Sequence, residues 1–227
     1  MSDNLDNFPI EYLYRKGATT SECLELLQSK LPEIEEKYQK PALVYVWTGT
    51  CDITRKSKSN RGKVVVRSSG DKTINSVIQK YREILTFVLK RGGRVKFVGV
   101  PTYSVTLYNR HRNPRNTSSE AEADIEVDRQ VRLLNSKIEE LNKEIGRNTL
   151  KLNADLIKSR NHRNTVSFHL LEDGLHPGVT LARKWLRRIQ LDIVREAFTS
   201  TSNEDQIVID PQEIAAFDIT ENAVAAE

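Results

Sequence analysis

Cysteine is scarce in this sequence, with Cys23 and Cys51 alone among 227 residues. Two cysteines without metal-type spacing make neither a disulfide framework nor a zinc site, so both are expected to be free thiols. The four histidines lack ligand-like spacing as well, and no metal and no cofactor is expected. No apolar run approaches the roughly 20 residues that a membrane helix needs. Residues 1–7 have neither a basic start nor an apolar core, which excludes a signal peptide and makes an intracellular location the expectation, cytoplasmic by default with the nucleus left open. Lys and Arg are missing from residues 199–227, where seven acidic side chains lie. The net charge of +4 therefore divides into −7 for that segment and +11 for residues 1–198. A body so basic attracts anionic partners, nucleic acid among them, although a solvated Lys/Arg surface is the commoner explanation.

What is present alternates between strand and helix patterns. Residues 42–47 and 94–100 are short apolar runs of the kind that form buried parallel strands. Between them Ile74, Val77, Tyr81, Ile84 and Val88 recur at helical spacing, closed by Gly92 and Gly93, so a right-handed β-α-β unit is expected. Residues 9–14 alternate like a strand, Gly17 turns the chain, and Ser21 is placed to cap a helix carrying Leu24, Leu27 and Leu31. A capping box at Ser119 and Glu122 opens a long helix with Ile125, Val131, Leu134, Ile138, Leu141 and Ile145 inward. Residues 166–171 read as the last strand and 180–198 as the last helix. The organisation expected is a polar segment at 1–8, one α/β domain over 9–198 and an acidic flexible tail at 199–227.

Chemistry concentrates in two blocks. Asp173 and His176 form an Asp-x-x-His pair before the last helix, and Gly49-Thr50-Cys51-Asp52 follows the strand at 42–47. A histidine base held by an Asp, with oxyanion donors from earlier strand ends, is the layout of a hydrolase site. The alternative is a histidine at the start of a helix with Asp173 as a turn residue.

In this order the blocks resemble the SGNH (GDSL-type) hydrolase family over residues 9–198. The resemblance implies a flavodoxin-like three-layer α/β/α sandwich, with His176 and Asp173 as catalytic base and orienter. Gly17, Gly49, Cys51 and Asp52 would form the oxyanion pocket, and Tyr108-Asn109 and Leu141-Asn142 resemble further landmarks. An ester or acetylated small molecule would be the substrate. Two departures stand out. No Gly-Asp-Ser occurs in the chain, and the eight residues before Pro9 leave no room for the strand that carries it. The oxyanion Asn is replaced by Cys51, a thiol that donates only weakly. Cys51 could instead act as a thiolate nucleophile, or be a buried inert cysteine.

Two basic loops complete the reading. Arg55, Lys56, Lys58, Arg61 and Lys63 follow the Cys51 block, and Arg110, Arg112 and Arg115 follow Pro101. Both would lie at the mouth of the site and could hold a phosphate-rich ligand, with Tyr103 and Tyr108 as stacking rings. Three functions follow as expectations: an SGNH-like esterase domain impaired by its missing nucleophile or truncated ahead of it, a nucleic-acid (RNA)-binding module on that scaffold, or a retroelement or viral accessory esterase-like domain. Without a central strand, 9–14 is expected to pair directly with 42–47, giving a four-stranded parallel sheet in the order 9–14, 42–47, 94–100, 166–171. The alternative leaves 9–14 unpaired.

Overall fold

The computed structural model describes residues 9–58, 62–67, 70–114, 121–160 and 163–202. The chain falls into two units, Met1–Ile189 and Gln190–Glu227, and the architecture below is that of the first. Its helices are α1 (Thr20–Tyr38), α2 (Thr50–Ile53), α3 (Asp71–Leu89), α4 (Val105–Arg112), α5 (Ala121–Glu144) and the part of α6 (Val179–Ser202) up to Ile189. Its strands are β1 (Leu43–Val46), β2 (Thr54–Lys56), β3 (Val64–Val66), β4 (Arg94–Phe97), β5 (Ile157–Arg160) and β6 (Arg163–Val166). Among the described residues no helix is long and apolar enough to cross a membrane.

The β-α-β unit forms as its pattern demands. α3 buries Ile74, Val77, Tyr81, Ile84 and Val88, each side chain contributing about 1.5–3 kcal/mol. The helix ends where Gly92, at φ +72°, lets the Gly93 N–H return to the Val88 carbonyl at 3.0 Å. β1 and β4 then pair in parallel, from Leu43 with Arg94 to Val46 with Phe97. Tyr81 stacks on Phe97 beneath this sheet, ring centroids 4.8 Å apart.

The outer edge of β4 is completed in an unusual way. Val98 makes a single parallel bridge with Leu150, and α5 supplies the rest. Asn142 accepts the Phe97 N–H at 2.9 Å and donates to the Phe97 carbonyl at 2.7 Å. Asn135 does the same for Val100, at 2.7 and 2.8 Å. Two helical turns between the asparagines cover about 10 Å, and three strand residues cover about the same. A carboxamide offers one acceptor and one donor, as a neighbouring strand would, so α5 acts as a surrogate strand running opposite to β4.

The four-stranded expectation is therefore corrected. Residues 9–14 form no strand, and Tyr12 and Tyr14 are exposed. Glu11 accepts from Lys37 Nζ and the Tyr38 hydroxyl, both at 2.7 Å, which ties this segment to the end of α1. Residues 166–171 do not pair with β4 either. β6 closes an antiparallel hairpin with β5, Phe168–Leu170 is one 3-10 turn, and the β4 edge is already occupied by Leu150 and the asparagines.

Smaller corrections concern helix ends and faces. Thr19, rather than Ser21, caps α1, and its backbone N–H donates to Glu22 Oε2 at 2.8 Å in a capping box. Ser119 lies outside the described residues. Ile125 is 71% exposed, because it sits two positions, about 200° of helical rotation, from Val127 at the head of the buried stripe Val127, Val131, Leu134, Ile138 and Leu141.

Candidate active site

The Asp173–His176 turn is closed by its own backbone. The Glu172 N–H donates to the His176 carbonyl at 2.7 Å, and Leu171 bridges Pro177. Inside it, Asp173 Oδ1 accepts the N–H groups of Leu175 (2.9 Å) and His176 (2.8 Å), which aims Oδ2 at His176 Nδ1, 2.7 Å away. That contact assigns the proton to Nδ1 and leaves Nε2 for proton transfer. The His176 side chain is 61% exposed while that of Asp173 is 12% exposed, so the base is open and its orienter shielded. The Tyr108 ring stands 6.2 Å from the imidazole.

Burial works to raise the Asp173 carboxyl, but the backbone N–H of His176, its imidazole and the Leu175 N–H outweigh it, and the net shift is downward. A depressed folded value stabilises the fold above the ordinary carboxylate value near 3.9, and the contribution is lost as pH falls through the lowered one. Asp173→Asn should accordingly be less stable than the parent at pH 7, the gap closing as pH falls below the ordinary carboxylate value and through the lowered one. Urea unfolding of both proteins across that range measures it, and a gap constant with pH would assign the loss to packing.

The second block begins at Gly49, whose φ of +108° turns the chain from β1 into α2. A Cβ there would stand 2.8 Å from Leu134 Cδ2, so glycine is required for space as well as for conformation. Cys51 is half-buried on α2, and burial, then the Asp52 and Glu22 carboxylates, push its thiol up. That is the opposite of what a thiolate nucleophile needs. Cys51 should react with a disulfide reagent such as DTNB several-fold more slowly than free cysteine at pH 8, and equal or faster reaction would restore the nucleophile reading. Asp52 is committed elsewhere: it accepts the Thr20 N–H at 3.0 Å and the Thr20 hydroxyl at 2.9 Å, at the start of α1. Burial nonetheless leaves its carboxyl raised. Gly17 lies in an exposed turn at φ +70°, with no atom within 4 Å of where a Cβ would be.

The two blocks are joined at the start of α4. The Tyr103 hydroxyl donates to the Thr50 carbonyl at 3.3 Å, and the next residue, Ser104, donates its N–H to the Gly174 carbonyl at 2.8 Å. Sequence reasoning had no signal for this link beyond the nearby Pro101. It also corrects the role of Tyr103, which at 3% exposure cannot stack on a ligand. The Ser104 hydroxyl is no replacement nucleophile, because it is buried, donates to Asp124 at 2.7 Å and caps α4. Among the described residues no cluster of three or more His, Cys, Asp or Glu side chains is arranged to hold a metal ion.

The two basic loops are one neighbourhood. Residues 54–56 and 64–66 form the β2–β3 hairpin, with Lys56 opposite Val64. Asn109 clamps the far edge of that hairpin, accepting the Val64 N–H and donating to its carbonyl, both at 2.8 Å. Arg55, Lys56, Lys58, Arg110 and Arg112 are exposed and Lys63 is half-buried. Arg61 and Arg115 lie outside the described residues.

No family model and no curated protein matches the sequence. Solved structures do. A GDSL-like lipase from Bacteroides thetaiotaomicron superposes over 78% of this chain and 73% of its own, with a TM-score of 0.50 and 14% identity. A candidate acylhydrolase from Bacteroides fragilis covers 82% of this chain and 73% of its own, with a TM-score of 0.47 and 14% identity. The chain thus has an SGNH/GDSL-like α/β fold, here with a small parallel sheet.

Proposed function

We propose that this chain is an SGNH-type esterase-like domain that keeps the base half of a hydrolytic triad and is impaired in catalysis by itself. The observation that carries this reading is the 2.7 Å contact between Asp173 and His176, backed by two N–H bonds to the same carboxylate. Such a pair can orient a neutral imidazole and stabilise the imidazolium that forms when it takes a proton. Among the described residues no hydroxyl is hydrogen-bonded to the His176 ring. The sequence has no Gly-Asp-Ser, Cys51 stands where the resemblance calls for the oxyanion Asn, and its thiol is pushed up. Loss of one oxyanion donor alone costs on the order of 10²–10³ in rate. A 227-residue polypeptide of this sequence should hydrolyse p-nitrophenyl acetate within a few-fold of buffer, and His176→Ala should leave the rate unchanged. A saturable activity that disappears in His176→Ala would overturn the impairment, and its further loss in Cys51→Ala would identify the thiol as the nucleophile.

A further inference from the structure

α4, on which the Asp173–His176 turn is seated, carries two exposed arginines, Arg110 and Arg112. From Thr54 to Gly70 and from Pro101 to Ser119 the sequence contains no Asp or Glu, although acidic residues make up 31 of the 227 positions. The fold brings these two acid-free segments together, because Asn109 holds the Val64 backbone through both of its amide atoms. Lys56 lies opposite Val64 on the hairpin, and Arg110 follows Asn109 on α4. The hairpin and α4 therefore form one continuous surface about 10 Å across at the backbone, with Lys56 and Arg110 at neighbouring positions, since paired strand residues stand about 5 Å apart. α4 also carries that surface to the imidazole. Tyr108 stands 6.2 Å from the His176 ring, and Arg112 falls one turn after Tyr108 on the same helix face. A base of an unpaired strand can meet the two rings while its neighbouring phosphates reach the cations on α4 and the hairpin.

We infer that α4 and the β2–β3 hairpin form a binding surface for single-stranded nucleic acid, with Arg112 and Lys56 on the phosphates beside Tyr108 and His176, which meet a base, and Arg55 and Arg110 on the flanking faces where the strand wraps past. The surface stands independently of ester hydrolysis. A neutral acyl ester has no use for this charge, whereas counterion release from a polyanion uses every cation on it. Tyr108 is half-buried, so the edge it presents is fixed by the fold.

The test is fluorescence anisotropy of the full chain with a labelled 20-nucleotide single-stranded RNA, repeated with single-stranded DNA, duplex DNA and heparin. Single strands should bind with log K falling against log salt at a slope of about −3 for four phosphate contacts, a loss of roughly fifty-fold between 50 and 200 mM. Lys56→Glu with Arg110→Glu and Arg112→Glu should weaken binding at least tenfold at 50 mM salt. The control is Lys40→Glu with Lys90→Glu, two exposed lysines just before β1 and β4 and hence at the opposite end of the parallel strands; it should bind within about threefold of the parent. Tyr108→Leu should lower affinity for single strands several-fold without changing the salt slope, and far-UV circular dichroism should show every variant folded. Absence of binding at 50 mM salt, equal losses in the triple variant and the control, or heparin and duplex held as tightly as single strands with no effect of Tyr108→Leu would each overturn the assignment.

Discussion

Asn142→Leu should cost about 3–5 kcal/mol of folding stability, read as a lower urea midpoint with an unchanged m-value. Asn142 is fully buried, and its carboxamide satisfies the Phe97 N–H, the Phe97 carbonyl and the Thr149 hydroxyl, at 2.9, 2.7 and 2.8 Å. Leucine keeps the branched skeleton and is larger, so no cavity opens, and the loss combines the unpaired polar groups with some overpacking. Each buried group left without a partner costs about 1–3 kcal/mol. Phe97 itself is buried, and its backbone cannot turn to water instead. Asn135→Leu gives the comparison: it clamps Val100 with the same geometry, but Asn135 is only half-buried, so water can take over part of the bond. Its loss should be no more than half as large. Equal losses at the two sites would mean that burial does not set the cost, and that the surrogate-strand account of the β4 edge is wrong.

Those two asparagines also show where reading the sequence stops. The apolar runs that became β1 and β4, and the periodicity of α3, were legible because each is a local pattern that one buried face dictates. The Asp-x-x-His turn was legible for a similar reason: Asp173 bonds its own neighbours two and three residues on. The parallel pairing of β1 with β4 was legible too, but the fate of the two outer strands was not. Residues 9–14 have the right alternation, but a strand exists only where another backbone offers donors and acceptors, and here α1 holds the segment through Glu11. Conversely, nothing local marks Asn135 and Asn142 as edge partners of Phe97 and Val100, since their role depends on α5 lying along β4. The β2–β3 hairpin was hidden in the same way. Its charges read as a solvated loop, and only Asn109, more than forty residues away, pins it into a surface.

Gly174→Ala should destabilise the protein by about 2–5 kcal/mol and release the Asp173–His176 turn from α4. Two independent costs add. The residue sits at φ +88°, which a side chain adopts at a cost of roughly 1–2 kcal/mol. A Cβ placed there would meet Leu107 Cβ at 2.5 Å and the Ser104 carbonyl and Tyr108 nitrogen at 3.1 Å. None of these is the end of a flexible side chain, so the turn must lift away from α4, and forcing a methyl group into such packing costs about 1–3 kcal/mol. Lifting stretches the bond from the Ser104 N–H to the Gly174 carbonyl and separates His176 from Tyr108. The Asp173–His176 contact lies within the turn and should survive. Two measurements separate these effects: chemical denaturation for the overall loss, and the His176 ring chemical shifts in the folded variant, which should lose the ring-current contribution of Tyr108. A stability change below about 1 kcal/mol, or ring shifts identical to the parent, would show that the turn is not seated on α4 as the structure has it.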